Sequence, residues 1–152
     1  ITTMVAYPFN IARVSRFAEV LVGAVLMPGA RAPIVVTREM VRSMKKGAVI
    51  LDFSIDQAGC VETSRPTTLR DPIFIEEGVV HFCVPNVPGA VPRTATHAFN
   101  NAVWPAIRHI AEVGLEQAME DTPALARGIA VKGGKIVNET LAATYYARVR
   151  NK

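Results

Sequence analysis

The chain has 152 residues, half of them hydrophobic and a fifth charged, with a formal net charge of +4. That length suits one ordinary domain or a domain with part of another, and the composition is globular, not disordered. The mild, scattered charge argues against a nucleic-acid-binding face, no apolar run approaches the ~20 residues of a membrane span, and two cysteines, Cys60 and Cys83, without metal-type spacing argue against a metal centre and fit free thiols in a reducing cytoplasm.

The first residues lack a basic flank ahead of an apolar core, so no secretory signal is expected, and a start at Ile1 suggests a piece of something longer. Pro8 to Phe17 reads as a short amphipathic helix with Asn10 as N-cap. Val20 to Leu26 is a continuous, β-branched run, the pattern of a strand buried on both faces. Met27 to Pro33 is a loop broken by Pro and Gly. Thr37 is expected to cap a helix through Met40, Val41 and Met44. Gly47 should stop it, after Lys45 and Lys46 at the end where the helix dipole favours cations.

Ala48 to Ile55 is a second strand. A connection of roughly twenty residues follows, with turn signals at Arg65-Pro66 and Asp71-Pro72; one so long is more often functional than not. Gly78 to Val84 is a third strand. Strand, helix, strand, long connection, strand is the rhythm of a parallel α/β sheet with crossovers. The stretch Pro85 to Pro92 holds three prolines, a stiff connector and a candidate domain boundary. A long helix follows, about Arg93 to Val113, with Pro105 as an expected kink. Gly114 to Gly128 reads as a shorter helix and a cap, Ile129 to Val137 as a hairpin turning on Gly133-Gly134, and Asn138 as the cap of a last helix over Glu139 to Val149.

The chemistry concentrates after the second strand, in Ser54-Ile55-Asp56-Gln57-Ala58-Gly59-Cys60. A carboxylate, a carboxamide and a glycine arrive together where a strand of an open α/β sheet ends, which is where such folds bind ligands. Asp56 there can accept hydrogen bonds from a ligand or orient a water, or simply form a turn with its own backbone. The loop from Leu26 to Pro33 leaves another strand end, and its small and cyclic residues would let a flat ligand approach, or make an ordinary turn. Asn86 ends the third strand and would bond a carboxamide or ribose, or only its own loop. Of the histidines, His81 reads as structural, while His97 and His109 lie more than three helical turns apart and form no local site. Cys60 follows a glycine turn that could expose it, but no base is placed beside it. Neither a P-loop nor a G-x-G-x-x-G fingerprint is present.

Five stretches carry a resemblance that spans most of the chain. They are Val22 to Pro33, Met44 to Ile50, Ile55 to Cys60, Ser64 to Thr68 and Pro88 to Thr94. In this order they resemble the alanine dehydrogenase family, within a wider superfamily that includes the proton-translocating transhydrogenases. Asp56-Gln57, Cys60 and Ser64-Arg65-Pro66-Thr67-Thr68 favour the dehydrogenase branch. The resemblance implies a fold in which residues 1–92 are the second half of a Rossmann-type NAD domain. Residues 93–152 would be the C-terminal part of a substrate domain, built of helices and a hairpin.

The implied reaction is reversible oxidative deamination of L-alanine to pyruvate and ammonia with NAD as cofactor, in a cytoplasmic homo-oligomer, a hexamer by resemblance, with no metal, nucleic-acid or membrane partner. Carried over position by position, Asp56 matches an aspartate beside the nicotinamide that is implicated in catalysis. Val25 and Phe53 match positions lining the cofactor pocket, and Asn86 and Val87 match a pair at its nicotinamide end. Three positions depart from the family pattern: Phe53 for an aliphatic residue, Val87 for a frequent Met, and Ala58 for a frequent Gly. The family's substrate-binding Arg and Lys, catalytic His and glycine fingerprint match nothing in this sequence, so the chain alone is expected to be inactive. The rival readings are the NAD-binding component of a transhydrogenase and a truncated, non-catalytic relative.

Overall fold

The computed structural model describes residues 1–150. Two compact units divide between Val87 and Pro88, inside the proline-rich stretch. The first holds helix α1 (Pro8–Ser15), strand β1 (Val20–Gly23), helix α2 (Arg38–Arg42), strand β2 (Val49–Asp52), and the paired strands β3 (Ile73–Glu76) and β4 (Val79–Phe82). The second holds helices α3 (Pro92–Val113), α4 (Leu115–Asp121) and α5 (Pro123–Gly128), the hairpin β5 (Val131–Lys132) and β6 (Lys135–Ile136), and helix α6 (Glu139–Arg150).

The first unit is a four-stranded sheet in the order β1-β2-β4-β3. β1, β2 and β4 are parallel, and β3 runs antiparallel to β4 at the far edge. One face carries Leu21, Ile50, His81 and Phe74 in register. It packs beneath α1 and α2 in a core built on Val36, Val41, Met44, Ala48, Ile50, Val61 and Val79. Each fully buried Val or Ile there contributes roughly 1.5–3 kcal/mol. The other face stacks Val20, Val49, Val80 and Ile75 in one rung and Val22, Leu51, Phe82 and Ile73 in the next. None of these eight is buried.

Several sequence expectations change here. β1 is not buried on both faces: it is an edge strand, with Val20 and Val22 more than half exposed. It also ends at Gly23, not Leu26, because the next residues bond side chains in place of a neighbouring strand. β2 stops at Asp52, whose carboxylate accepts the Ser54 N–H and starts a 3-10 turn over Phe53–Gln57. The long connection contains β3, which the sequence reading missed. It folds back on β4 through Glu77 and Gly78, both at positive φ (54° and 77°), the conformation of a two-residue hairpin turn.

Capping is mixed. Asn10 does not cap α1: Tyr7 is the N-cap, Pro8 sits in the first turn where its missing N–H costs nothing, and the Asn10 side chain donates to the Val5 carbonyl at 2.8 Å. Thr37 caps α2 as expected, accepting from Met40 N at 3.3 Å, but the helix ends at Arg42, before Gly47. In the second unit Gly114 separates α3 from α4, and Thr122 and Pro123 split the expected single helix into α4 and α5. Gly133 and Gly134 turn the hairpin, and the Asn138 side-chain Oδ1 accepts from Leu141 N–H at 2.9 Å, capping α6. Among the described residues of this unit only Ala118 is buried, so α3 has no buried residue along its length.

Candidate functional site at the carboxyl rim of the sheet

Because β1, β2 and β4 are parallel, their carboxyl ends open onto one rim, and the three loops that leave them meet there. The second loop holds the centre. Asp52, 1% exposed, closes it by accepting three backbone N–H groups: Ser54 at 3.0 Å on one oxygen, and Cys60 at 3.0 Å and Val61 at 3.2 Å on the other. Residues 53–60 are thereby cinched into a compact turn. Gly59 lies at φ +80°, and a Cβ there would stand 2.9 Å from an Asp52 oxygen, so this position requires glycine. Ala58 also lies at positive φ, 74°, which an L residue with a Cβ adopts only at a cost.

The first loop is laced to the second. The Ser54 hydroxyl accepts from Val25 N–H at 2.7 Å and donates to the Val25 carbonyl at 2.9 Å. The Gln57 carboxamide oxygen accepts from Met27 N–H at 3.2 Å, and the Gln57 carbonyl from Ala32 N–H at 2.9 Å. At the end of β1, Gly23 leaves room for Cys60: a Cβ at position 23 would lie 2.5 Å from the Cys60 sulfur. The third loop reaches in from β4. Asn86 lies at φ 51°, turning its N–H onto both carboxylate oxygens of Asp56 at 3.3 Å each.

The loops that carry Val25, Phe53, Asp56, Asn86 and Val87 all leave the sheet at this rim, and hydrogen bonds tie the first to the second and the second to the third. Asp56 is exposed, and apart from the shared Asn86 N–H its lone pairs face outward. Phe53 is half exposed, Val25 and Val87 are partly buried, and Asn86 is exposed. The rim thus presents one exposed carboxylate and one half-exposed aromatic ring, while Val25 also packs against the core beneath it. Asp52 escaped notice in the sequence, where it reads as the tail of a strand, and Ser54 is named there only as the start of the motif, with no role; the Asp-x-Ser spacing of a side-chain turn was the available signal.

The other candidates lie elsewhere. Cys60 is fully buried, not exposed by its glycine turn; burial pushes its thiol and that of Cys83 up, so both stay protonated and unreactive. His81 is buried between Thr63, whose hydroxyl is 2.7 Å from Nε2, and the Val79 carbonyl, 2.9 Å from Nδ1. Burial holds its pKa below the usual histidine value. His109 pairs with Asp121 at 2.9 Å in the second unit, and His97 is exposed. Among the described residues no group of three or more His, Cys, Asp or Glu could hold a metal ion, and no helix is long and apolar enough to cross a membrane.

The family model described as alanine dehydrogenase/PNT, C-terminal domain, matches residues 1–139. This chain belongs to that family. It is 47% identical over 145 residues to alanine dehydrogenase 1 of Staphylococcus aureus, covering 95% of this chain and 39% of that protein. A solved L-alanine dehydrogenase matches 93% of this chain and 39% of its own, with 42% identity and a TM-score of 0.76. The transhydrogenase of Sinorhizobium meliloti is a more distant likeness, 23% identical with a TM-score of 0.61 over 88% of this chain, and shares the fold. The chain thus spans about two fifths of the length of the relatives it matches.

Proposed function

We propose that this chain forms the nicotinamide end of an NAD site in an alanine dehydrogenase, an enzyme interconverting L-alanine with pyruvate and ammonia. The supporting observation is that the loops carrying Val25, Phe53, Asp56, Asn86 and Val87 leave the parallel strands at one rim and are tied together there, with the Asp56 carboxylate exposed. The residues fit one end of the cofactor. Val25, Phe53 and Val87 would wall the flat ring, and Asn86 and Asp56 would meet its polar edge. The pyrophosphate has no matching glycine-rich turn in this sequence. When bound, NAD supplies a hydride acceptor for the substrate's Cα; position and field are the protein's part.

Asp56, as the catalytic residue, would orient the carboxamide or hold a water in place while the imine forms and hydrolyses. Residues 1–92 are assigned to the NAD domain and 93–152 to the substrate domain. A cytoplasmic homo-oligomer, a hexamer, is the assembly proposed. It is supported by the exposed Phe99, Trp104 and Ile107 of α3 and by two free, buried thiols.

Alanine-dependent reduction of NAD by the protein as it occurs in the cell, followed by absorbance, tests the reading. Appearance of NADH with L-alanine, and none without it, is expected. No activity with alanine, alongside hydride transfer between NADH and an NADP analogue, would favour the transhydrogenase. Light scattering on the same sample reads the assembly, and a monomer would overturn the hexamer.

A further inference from the structure

We infer that Ser54 is a positioning residue for the cofactor's nicotinamide end, acting through the backbone of Val25; the inference rests on the functional reading above and deepens it. Ladder pairing between β1 and β2 ends at Gly23 opposite Asp52. Val25, two residues further, has no strand partner for its N–H or its C=O. The Ser54 hydroxyl serves both, accepting at 2.7 Å and donating at 2.9 Å, and so stands in for a missing rung.

Ser54 is itself fixed. It is 4% exposed, its N–H bonds Asp52 at 3.0 Å, and its carbonyl accepts from Gly59 at 2.9 Å. Asp56 follows two residues later in the same turn. The tie from Gln57 to Met27 N–H fastens the other end of the same segment. The backbone at Val25 and the carboxylate at Asp56 are thereby built into one piece, not left on two independent loops. A pocket ordered before the ligand arrives spares the ligand the cost of ordering it.

Replacing the hydroxyl removes the oxygen that serves both Val25 backbone groups, leaving the N–H only the weak sulfur acceptor of Cys60, while keeping every side chain that would touch the cofactor. The test compares Ser54→Ala with Ser54→Thr, which keeps the hydroxyl, and with Asp56→Asn. Readouts are amide hydrogen exchange at Val25, NADH affinity by fluorescence titration, and kcat at saturating cofactor, all well below the melting temperature. In Ser54→Ala the Val25 amide is expected to exchange about tenfold faster while Ile50 of β2 is unchanged. The NADH Kd should rise about five- to tenfold with kcat within about twofold of wild type. Ser54→Thr should recover most of both effects.

An NADH Kd for Ser54→Ala within twofold of wild type overturns the inference, whatever happens to stability. If Asp56→Asn abolishes turnover in that case, the functional reading stands and only the role of Ser54 is lost. If Asp56→Asn turns over normally, the assignment of this rim as the nicotinamide site fails and takes the inference with it, while the turnover itself still supports the enzyme.

Discussion

The carboxylate of Asp52 offers the sharpest test of how the rim is held. Asp52→Asn keeps the shape and removes one acceptor oxygen. The best rotamer leaves the amide oxygen on Cys60 N–H and Val61 N–H, which forces the NH2 group against Ser54 N–H, 3.0 Å from the oxygen it replaces. One charge-assisted bond is lost, about 1.5–3 kcal/mol, and the two survivors fall to neutral strength, losing about half each. Relief of burying a charge returns part of this. A net destabilisation of about 2–3 kcal/mol follows, which at a urea m-value of about 2 kcal/mol/M lowers the midpoint by about 1–1.5 M. Trp104, the only tryptophan, lies in the second unit, so amide NMR signals from β2 should follow the transition, not fluorescence. A loss below about 0.5 kcal/mol, with the Ser54 amide still protected from exchange, would refute the claim that this carboxylate organises the loop.

Four further outcomes are expected. Asp56→Asn should lower kcat of the enzyme by at least about tenfold while NADH affinity changes less than about threefold; equal losses in both would make Asp56 a binding residue only. Ala58→Gly should raise stability by about 0.5–1 kcal/mol, because relief of the Cβ at φ 74° exceeds the added freedom of the unfolded chain; denaturant melts read the sign. Glu77, held to about 2 by the hydrogen bonds of Arg42 and Arg38, contributes stability that is complete above the unfolded value near 4.5. That contribution should fade as pH falls toward about 2, and Glu77→Gln should flatten this acid limb of a pH series. Finally, neither Cys60 nor Cys83 should react with a thiol reagent at neutral pH until denaturant unfolds the first unit; prompt labelling of the native chain would contradict their burial.

The local punctuation of the chain was readable where a single residue settles a backbone conformation. Gly133-Gly134 and Asn138 act as their types demand, and Thr37 caps the helix it precedes. The parallel rhythm of β1, β2 and β4 was readable because each is a compact apolar run. β3 was missed because its turn is Glu77-Gly78, where a non-glycine residue takes positive φ, and no sequence signal marks that choice. The extent of β1 was misread because its pattern suits a strand, and only the side chain of Ser54, distant in sequence, captures Val25 and ends the ladder. Asp52 looked like a strand residue because its three partners assemble only once the loop closes. For the rim, Asp56 was legible as an exposed acid at a strand end, whereas the scaffold beneath it depends on contacts between loops that no local pattern encodes.

The close fit of Gly23 against the sulfur of Cys60 makes these two positions a single unit of volume shared across 37 residues of sequence. Neither can drift alone: bulk added at one must be surrendered at the other. A library randomised at both sites together should return pairs such as alanine with alanine, and few survivors that enlarge one while keeping its neighbour. The rim's foundation would thus evolve by paired exchange, while the exposed wall above it is free to change one residue at a time.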